Sequence, residues 1–206
     1  MNTNLMIFQL VALLLSAIIH EYMHGWTANQ LGDDTAKLSG RLTLNPLAHI
    51  DIWGSVLMPA LIFFSTGGAF IFGYAKPVPF NPYNLRDRKY GSAKVALAGP
   101  LSNLFLAALF GLILRVVSAG VISLSLSAVQ LIQIVVYINL LLAVFNSLPI
   151  PPLDGSKIIM PFLPAGAERV LVGLERYGMF LVLIFVLFGF PLIIPIIDFL
   201  FKLIAG

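Results

Sequence analysis

The 206 residues are 59% hydrophobic and only 10% charged, with a mean hydropathy of +0.98. A soluble domain carries about 25% charged residues, so the composition excludes a water-soluble globule and predicts an integral membrane protein. The net charge of +3 and pI near 9.3 fit basic loops at an anionic leaflet rather than nucleic-acid binding. Cysteine is absent, which removes disulfides, thiolate ligands and a cysteine nucleophile together.

The first apolar run predicts a helix from about Leu5 to Leu31, long enough for a span that needs ~20 residues. Its start, Met1-Asn2-Thr3-Asn4, lacks the basic residues of a signal peptide, and the run leads into His-Glu rather than a small-residue cleavage site. It reads as a retained helix. Gly32-Asp33-Asp34 ends it, and both aspartates read as solvated turn residues. Leu42 and Leu44 alternate with Arg41 and Thr43, which predicts a short, half-exposed strand. His49, alone in a polar loop, reads as a structural hydrogen-bonder.

The second apolar stretch, Ile52 to Phe72, is broken by Ser65-Thr66-Gly67-Gly68 and contains Pro59. The loop from Gly73 to Lys94 is basic, and Pro77, Pro79 and Pro82 favour extended backbone there. Apolar segments follow over 93–117 and 124–148, the latter ending in Pro149-Ile150-Pro151-Pro152-Leu153-Asp154-Gly155. The last, 179–204, carries Pro191 and Pro195 and is expected to kink or break.

The chemistry concentrates in His20-Glu21-Tyr22-Met23-His24, inside the first span. Ionisable groups at that depth are costly unless paired or bound. Residues four apart share a helix face, so His20 and His24 can present two imidazoles to one ion with Glu21 beside them. That is the H-E-x-x-H arrangement of a metal-dependent hydrolase, with the glutamate as general base. Only three histidines occur in the chain, which makes a chance pairing around a glutamate in a membrane helix a poor explanation. A third ligand is required. His49 and a carboxylate both remain open, and Asp154, in its Pro/Gly turn, stands out among the carboxylates. As a bystander it would be the N-cap of a short segment from Ser156 to Pro161. Asn139 and Asn146, seven apart, share a face of the fourth apolar helix. Asn139 reads as an interhelical hydrogen-bonder, with lining of a water channel as the other option.

Taken together, His20-Glu21-Tyr22-Met23-His24, Ala98-Gly99-Pro100-Leu101-Ser102-Asn103, Asn146-Ser147-Leu148-Pro149 and Pro152-Leu153-Asp154-Gly155 resemble the site-2 protease family of intramembrane zinc metalloproteases. Asn45 to Asp51 and Phe72 to Pro82 resemble a bacterial branch. The resemblance implies one zinc per chain, held by His20, His24 and Asp154, with Glu21 catalytic and Asn146 near substrate or oxyanion. It implies a single transmembrane protease domain over 1–206 that acts on transmembrane protein substrates in the lipid bilayer of a bacterial plasma membrane. It departs from many members in having no helix before the H-E-x-x-H span and no PDZ or cystathionine-synthase-type domain.

The fold class expected is an all-α polytopic membrane protein, a helical bundle with a re-entrant segment at 52–72 and short strand and loop elements at one face. If 52–72 dips and returns, loops 32–51, 73–94 and 149–178 share one side and hold ten of the twelve Lys and Arg residues. The positive-inside rule makes that side, and the site, cytoplasmic. The strand near Arg41–Leu44 or the Pro-rich loop would then offer an edge for an unwound substrate. Among rivals, a membrane metal transporter could use the same histidines but gains nothing from Glu21. A di-iron desaturase lacks its histidine supply. A zinc protease with a glutamate third ligand would need Glu168 or Glu175.

Overall fold

The computed structural model describes residues 3–49, 57, 61, 64 and 76–206. The expected re-entrant segment 52–72 lies outside the described residues, those three positions apart. Helix α1 runs from Thr3 to Gln30. A single turn follows as α2, Thr35–Leu38. Helix α3 covers Gly91–Ser118, α4 Leu126–Asn146, α5 Asp154–Ile159 and α6 Ala165–Glu175. The last apolar run divides into α7, Gly178–Ile184, and α8, Phe190–Ala205, joined by a wider helical turn at Phe185–Gly189. That widening sits just before Pro191, which lacks the N–H an α-helical turn would need there. Four of these helices, with α7 and α8 counted as one, are long and apolar enough to cross a membrane. The protein is an all-α polytopic membrane protein, and no strand occurs among the described residues.

Helix α3 is the centre of the bundle and contacts α1, α4, α5 and α8. A core of Ala107, Leu114, Val136, Leu140, Ile193 and Ile197 joins α3, α4 and α8. Long apolar side chains such as Leu10, Leu15, Phe105, Leu112, Phe188 and Leu203 instead face outward. In water such a surface would aggregate; in a bilayer it is the solvated face.

The loops gather at one end. Arg86 N–H donates to Leu31 O at 2.9 Å, so the chain leaves α1 and reaches the approach to α3 at the same place. The Tyr90 and Phe162 rings meet at 5.8 Å, and Lys157 Nζ lies 5.9 Å from the Phe80 ring. At the opposite end, Arg115 donates to Ile204 O and Leu203 O and caps α8 where the dipole is negative.

Two local expectations are corrected. Residues 41–45 form bends and irregular backbone rather than a strand. Alternation alone supplies no pairing partner. Here the Arg41 guanidinium donates to Lys76 O, and Thr43 O is bonded to the His49 ring. Asp33 is not a solvated turn residue but fully buried. Its carboxylate accepts from the Thr35 hydroxyl and N–H, Asn81 N–H and Asn84 Nδ2. It pins the 81–84 turn against the end of α1.

Candidate active site

His20 and His24 lie one turn apart near the loop end of α1, 5% and 8% exposed. Their ring centroids are 4.6 Å apart and their planes nearly perpendicular. Each ring is held at its far nitrogen. His24 Nδ1–H donates to Val95 O at 2.7 Å, and His20 Nδ1 lies 2.6 Å from Asn103 Oδ1. Both contacts come from α3, which carries the site's supporting shell.

The near nitrogens converge. His20 Nε2 is 2.9 Å and His24 Nε2 3.1 Å from the same atom, Asp154 Oδ2. Asp154 is the first residue of α5 and 9% exposed, with Leu153 rather than Asp154 at the N-cap position. The capping alternative is thereby excluded, since the carboxylate is spent on the imidazoles. Its position depends on the adjoining turn, because a Cβ on Gly155 would collide with Ser147 O and Leu148 O. Burial works against the Asp154 charge, but the two imidazoles outweigh it and keep the carboxyl well below the usual carboxylate range. It is therefore ionised.

This donor set fits a tetrahedral metal. Ligand atoms at zinc distances of about 2.0–2.2 Å lie roughly 3.2–3.6 Å from one another, only a few tenths of an ångström beyond the separations observed. Two ring nitrogens and an anionic oxygen turned toward one another are the chemistry of a cation site. A second observation concerns Gly99. A Cβ there would lie 2.5 Å from both Nε2 atoms, so the space beside the rings exists because α3 has no side chain at that point. Sequence reasoning noticed Gly99 only as part of a resembling segment. The physical signal was a small residue on a helix facing two ligands, and it becomes visible only when the packing partner is known.

Glu21 also comes close, with a carboxylate oxygen within 4.8 Å of ligand atoms on both histidines. Its Oε2, however, accepts the Val78 backbone N–H at 2.8 Å. Asp154, shared by both rings, is the more direct third partner, and Glu21 stands beside the set, bonded to the irregular Pro77-Val78-Pro79 segment.

The other sequence candidates separate clearly. Asn146 is half-buried, and its amide donates to Leu142 O on its own helix rather than to the cluster. Asn139 is fully buried and joins three helices through Asn103, Ser16 and the Val135 carbonyl, as expected of an interhelical hydrogen-bonder. His49 bonds Thr43 O through Nε2, also as expected, and takes no part in the cluster. Glu175 is exposed on α6, and the Glu168 side chain lies outside the described residues.

Comparison with known proteins agrees with this geometry. The profile of Peptidase family M50 matches residues 119–189, the part that contains Asp154. A Bacillus subtilis relative named "Putative zinc metalloprotease YwhC" is 37% identical over 193 residues, covering 92% of this chain and 83% of that protein. The Methanocaldococcus jannaschii protein MJ0611, under the same description, is 31% identical over 186 residues, covering 87% of this chain and 85% of its own. Rip2 of Mycolicibacterium smegmatis, again so described, is 30% identical over 171 residues, with 83% and 63% covered. No solved structure matches. With relatives of that identity along most of its length, and a histidine–carboxylate cluster among its membrane helices, the chain belongs to peptidase family M50, a family of zinc metalloproteases.

Proposed function

We propose that the protein is an intramembrane zinc metalloendopeptidase that hydrolyses peptide bonds in or near transmembrane segments of other membrane proteins. The observation that carries the reading is the convergence of His20 Nε2, His24 Nε2 and Asp154 Oδ2, beside Glu21, at the end of membrane-spanning helices. His20, His24 and Asp154 would hold one zinc per chain, leaving a fourth position open. Zinc there supplies a Lewis acid that polarises a carbonyl and acidifies water.

The chain's own residues supply the rest. Glu21 Oε2 is engaged by Val78 N–H, which leaves Oε1 to take a proton from the attacking water and pass it to the leaving amine. One Asn146 N–H is spent on Leu142 O. An amide has two, so the second can donate to a substrate carbonyl or its oxyanion. The 77–79 segment, whose Val78 N–H is bonded to Glu21, would offer an edge along which an unwound substrate can align. Ten of the twelve basic residues lie between the spans 3–30 and 91–118, in the first turn of the latter, or between 126–146 and 178–205. The positive-inside rule then orients the site toward the cytoplasm of a bacterial plasma membrane.

The test compares wild-type, Glu21→Gln and Asp154→Asn proteins purified in detergent, measuring bound zinc and cleavage of a transmembrane peptide. A protease loses cleavage with Glu21→Gln while retaining one zinc, and loses zinc with Asp154→Asn. A metal transporter would keep zinc flux in Glu21→Gln vesicles, and that result would overturn the reading.

A further inference from the structure

Behind His20 lies a chain of buried amides that the reaction itself does not use. His20 Nδ1 meets Asn103 Oδ1 at 2.6 Å, and Asn103 Nδ2 meets Asn139 Oδ1 at 3.0 Å and Ser16 O at 3.3 Å. Asn139 Nδ2 then meets Val135 O at 2.9 Å and Ser16 Oγ at 3.0 Å. Asn103 and Asn139 are 0% exposed and Ser16 5%. The row crosses from α1 to α3 to α4 and back to α1.

The direction of this row is fixed by groups that cannot change role. Val135 O and Ser16 O are backbone carbonyls and only accept. The Asn139 atom facing Val135 must therefore be nitrogen, which turns its oxygen toward Asn103. Asn103 must answer with its own nitrogen, which also satisfies Ser16 O, and its oxygen is then left facing His20. The His20 nitrogen at that oxygen must carry a proton. A neutral imidazole has one N–H, so a proton held at Asn103 leaves Nε2 bare for a metal; without a metal, Asp154 Oδ2 at 2.9 Å is an acceptor that competes for the same proton. His24 reaches the same state in one step, through Val95 O.

We propose that Asn139 and Ser16 are positioning residues for the metal centre, acting through Asn103 to hold His20 in the tautomer whose Nε2 is free to bind a metal. The inference rests on reading His20 as a ligand. Outer partners of ligating histidines are worth about 10–100-fold in metal affinity, and here the outermost partner lies two side chains beyond the ring. A relay of neutral amides sets orientation without adding negative charge behind the ligand.

The test uses the full chain in detergent with ¹⁵N-labelled histidine. Three histidines in the chain can be assigned with His24→Gln and His49→Gln. In metal-free Asp154→Ala protein, which lacks the competing acceptor, at a pH that leaves the imidazole neutral, His20 is expected to carry its proton on Nδ1; a proton found on Nε2 instead overturns the proposal. Asn139→Leu removes the acceptor for Asn103 and is expected to give mixed His20 tautomers in the Asp154→Ala background and, with Asp154 present, about tenfold weaker zinc binding in chelator competition. Asn139→Asp, protonated when buried, can accept from Asn103 and donate to Val135 O, and is expected to restore both. Wild-type tautomer and zinc affinity in Asn139→Leu would overturn the relay, as would equal losses in the Leu and Asp variants, which would mark a packing role. Failure of wild-type protein to bind zinc would sink the ligand reading instead, and is read separately.

Discussion

Two neighbouring stretches of α1's surface are held in contrasting ways. The His20–His24 face is tied down by α3 and α5, with each ring bonded at its far nitrogen and both near nitrogens meeting Asp154. Glu21, next in the chain, is met through Oε2 by one backbone N–H among the described residues, that of Val78 in a loop segment. The difference follows from the work each group does. Ligands must stay within a fraction of an ångström of one geometry, whereas a general base exchanges partners as its proton comes and goes.

The sharpest way to separate the two sides is Glu21→Gln. Cleavage of a transmembrane peptide should fall on the order of 10²–10⁴-fold, with metal content by mass spectrometry unchanged. If zinc is lost as well, Glu21 belongs to the ligand side and the contrast collapses. Gly99→Ala attacks the rigid side alone. The new Cβ would lie 2.5 Å from both Nε2 atoms, so zinc affinity should drop by roughly 100-fold, as read by chelator competition, with Glu21's loop contact intact.

Gly25→Ala addresses the loop side. Its Cβ would come 2.7 Å from Val78 Cγ1 and push the 76–80 segment away from Glu21. Turnover should decrease about tenfold with zinc binding preserved, and Val78→Ala in the same chain should recover most of it. Failure of that rescue would show that Gly25 acts elsewhere than through Val78. The smallest effect is expected from Asp33→Asn, which leaves the N–H of Asn81 facing an amide and should lower stability by about 1–3 kcal/mol. Burial opposes the Asp33 charge, yet bonds from Thr35, Asn81 and Asn84 hold its carboxyl below the usual range. Its stabilisation is thus full above the ordinary value near ~3.9 and disappears as pH falls through the lowered folded value. Thermal melts across acidic pH should show a shallower acid slope in the variant.

Sequence patterning by itself determined the membrane class, the four spans to within a few residues and the pairing of His20 with His24. Run length, the 3.6-residue helical period and the cost of ionisable groups in lipid are local properties, readable without a partner. Asp154 was legible as a candidate because Pro and Gly around it announce an irregular turn, but its distance to the imidazoles is not local. Leu42 and Leu44 misled, because alternation describes a strand only when another strand is there to pair with it. Asp33 misled in the opposite sense, since the donors that bury it arrive from residues 81–84, nearly fifty positions away. Tertiary structure alone decided three things: the empty space at Gly99, the Val78 N–H on Glu21, and the direction of the Asn139–Asn103–His20 row. Each depends on two segments approaching within hydrogen-bond or van der Waals distance, and no single stretch of sequence specifies that approach.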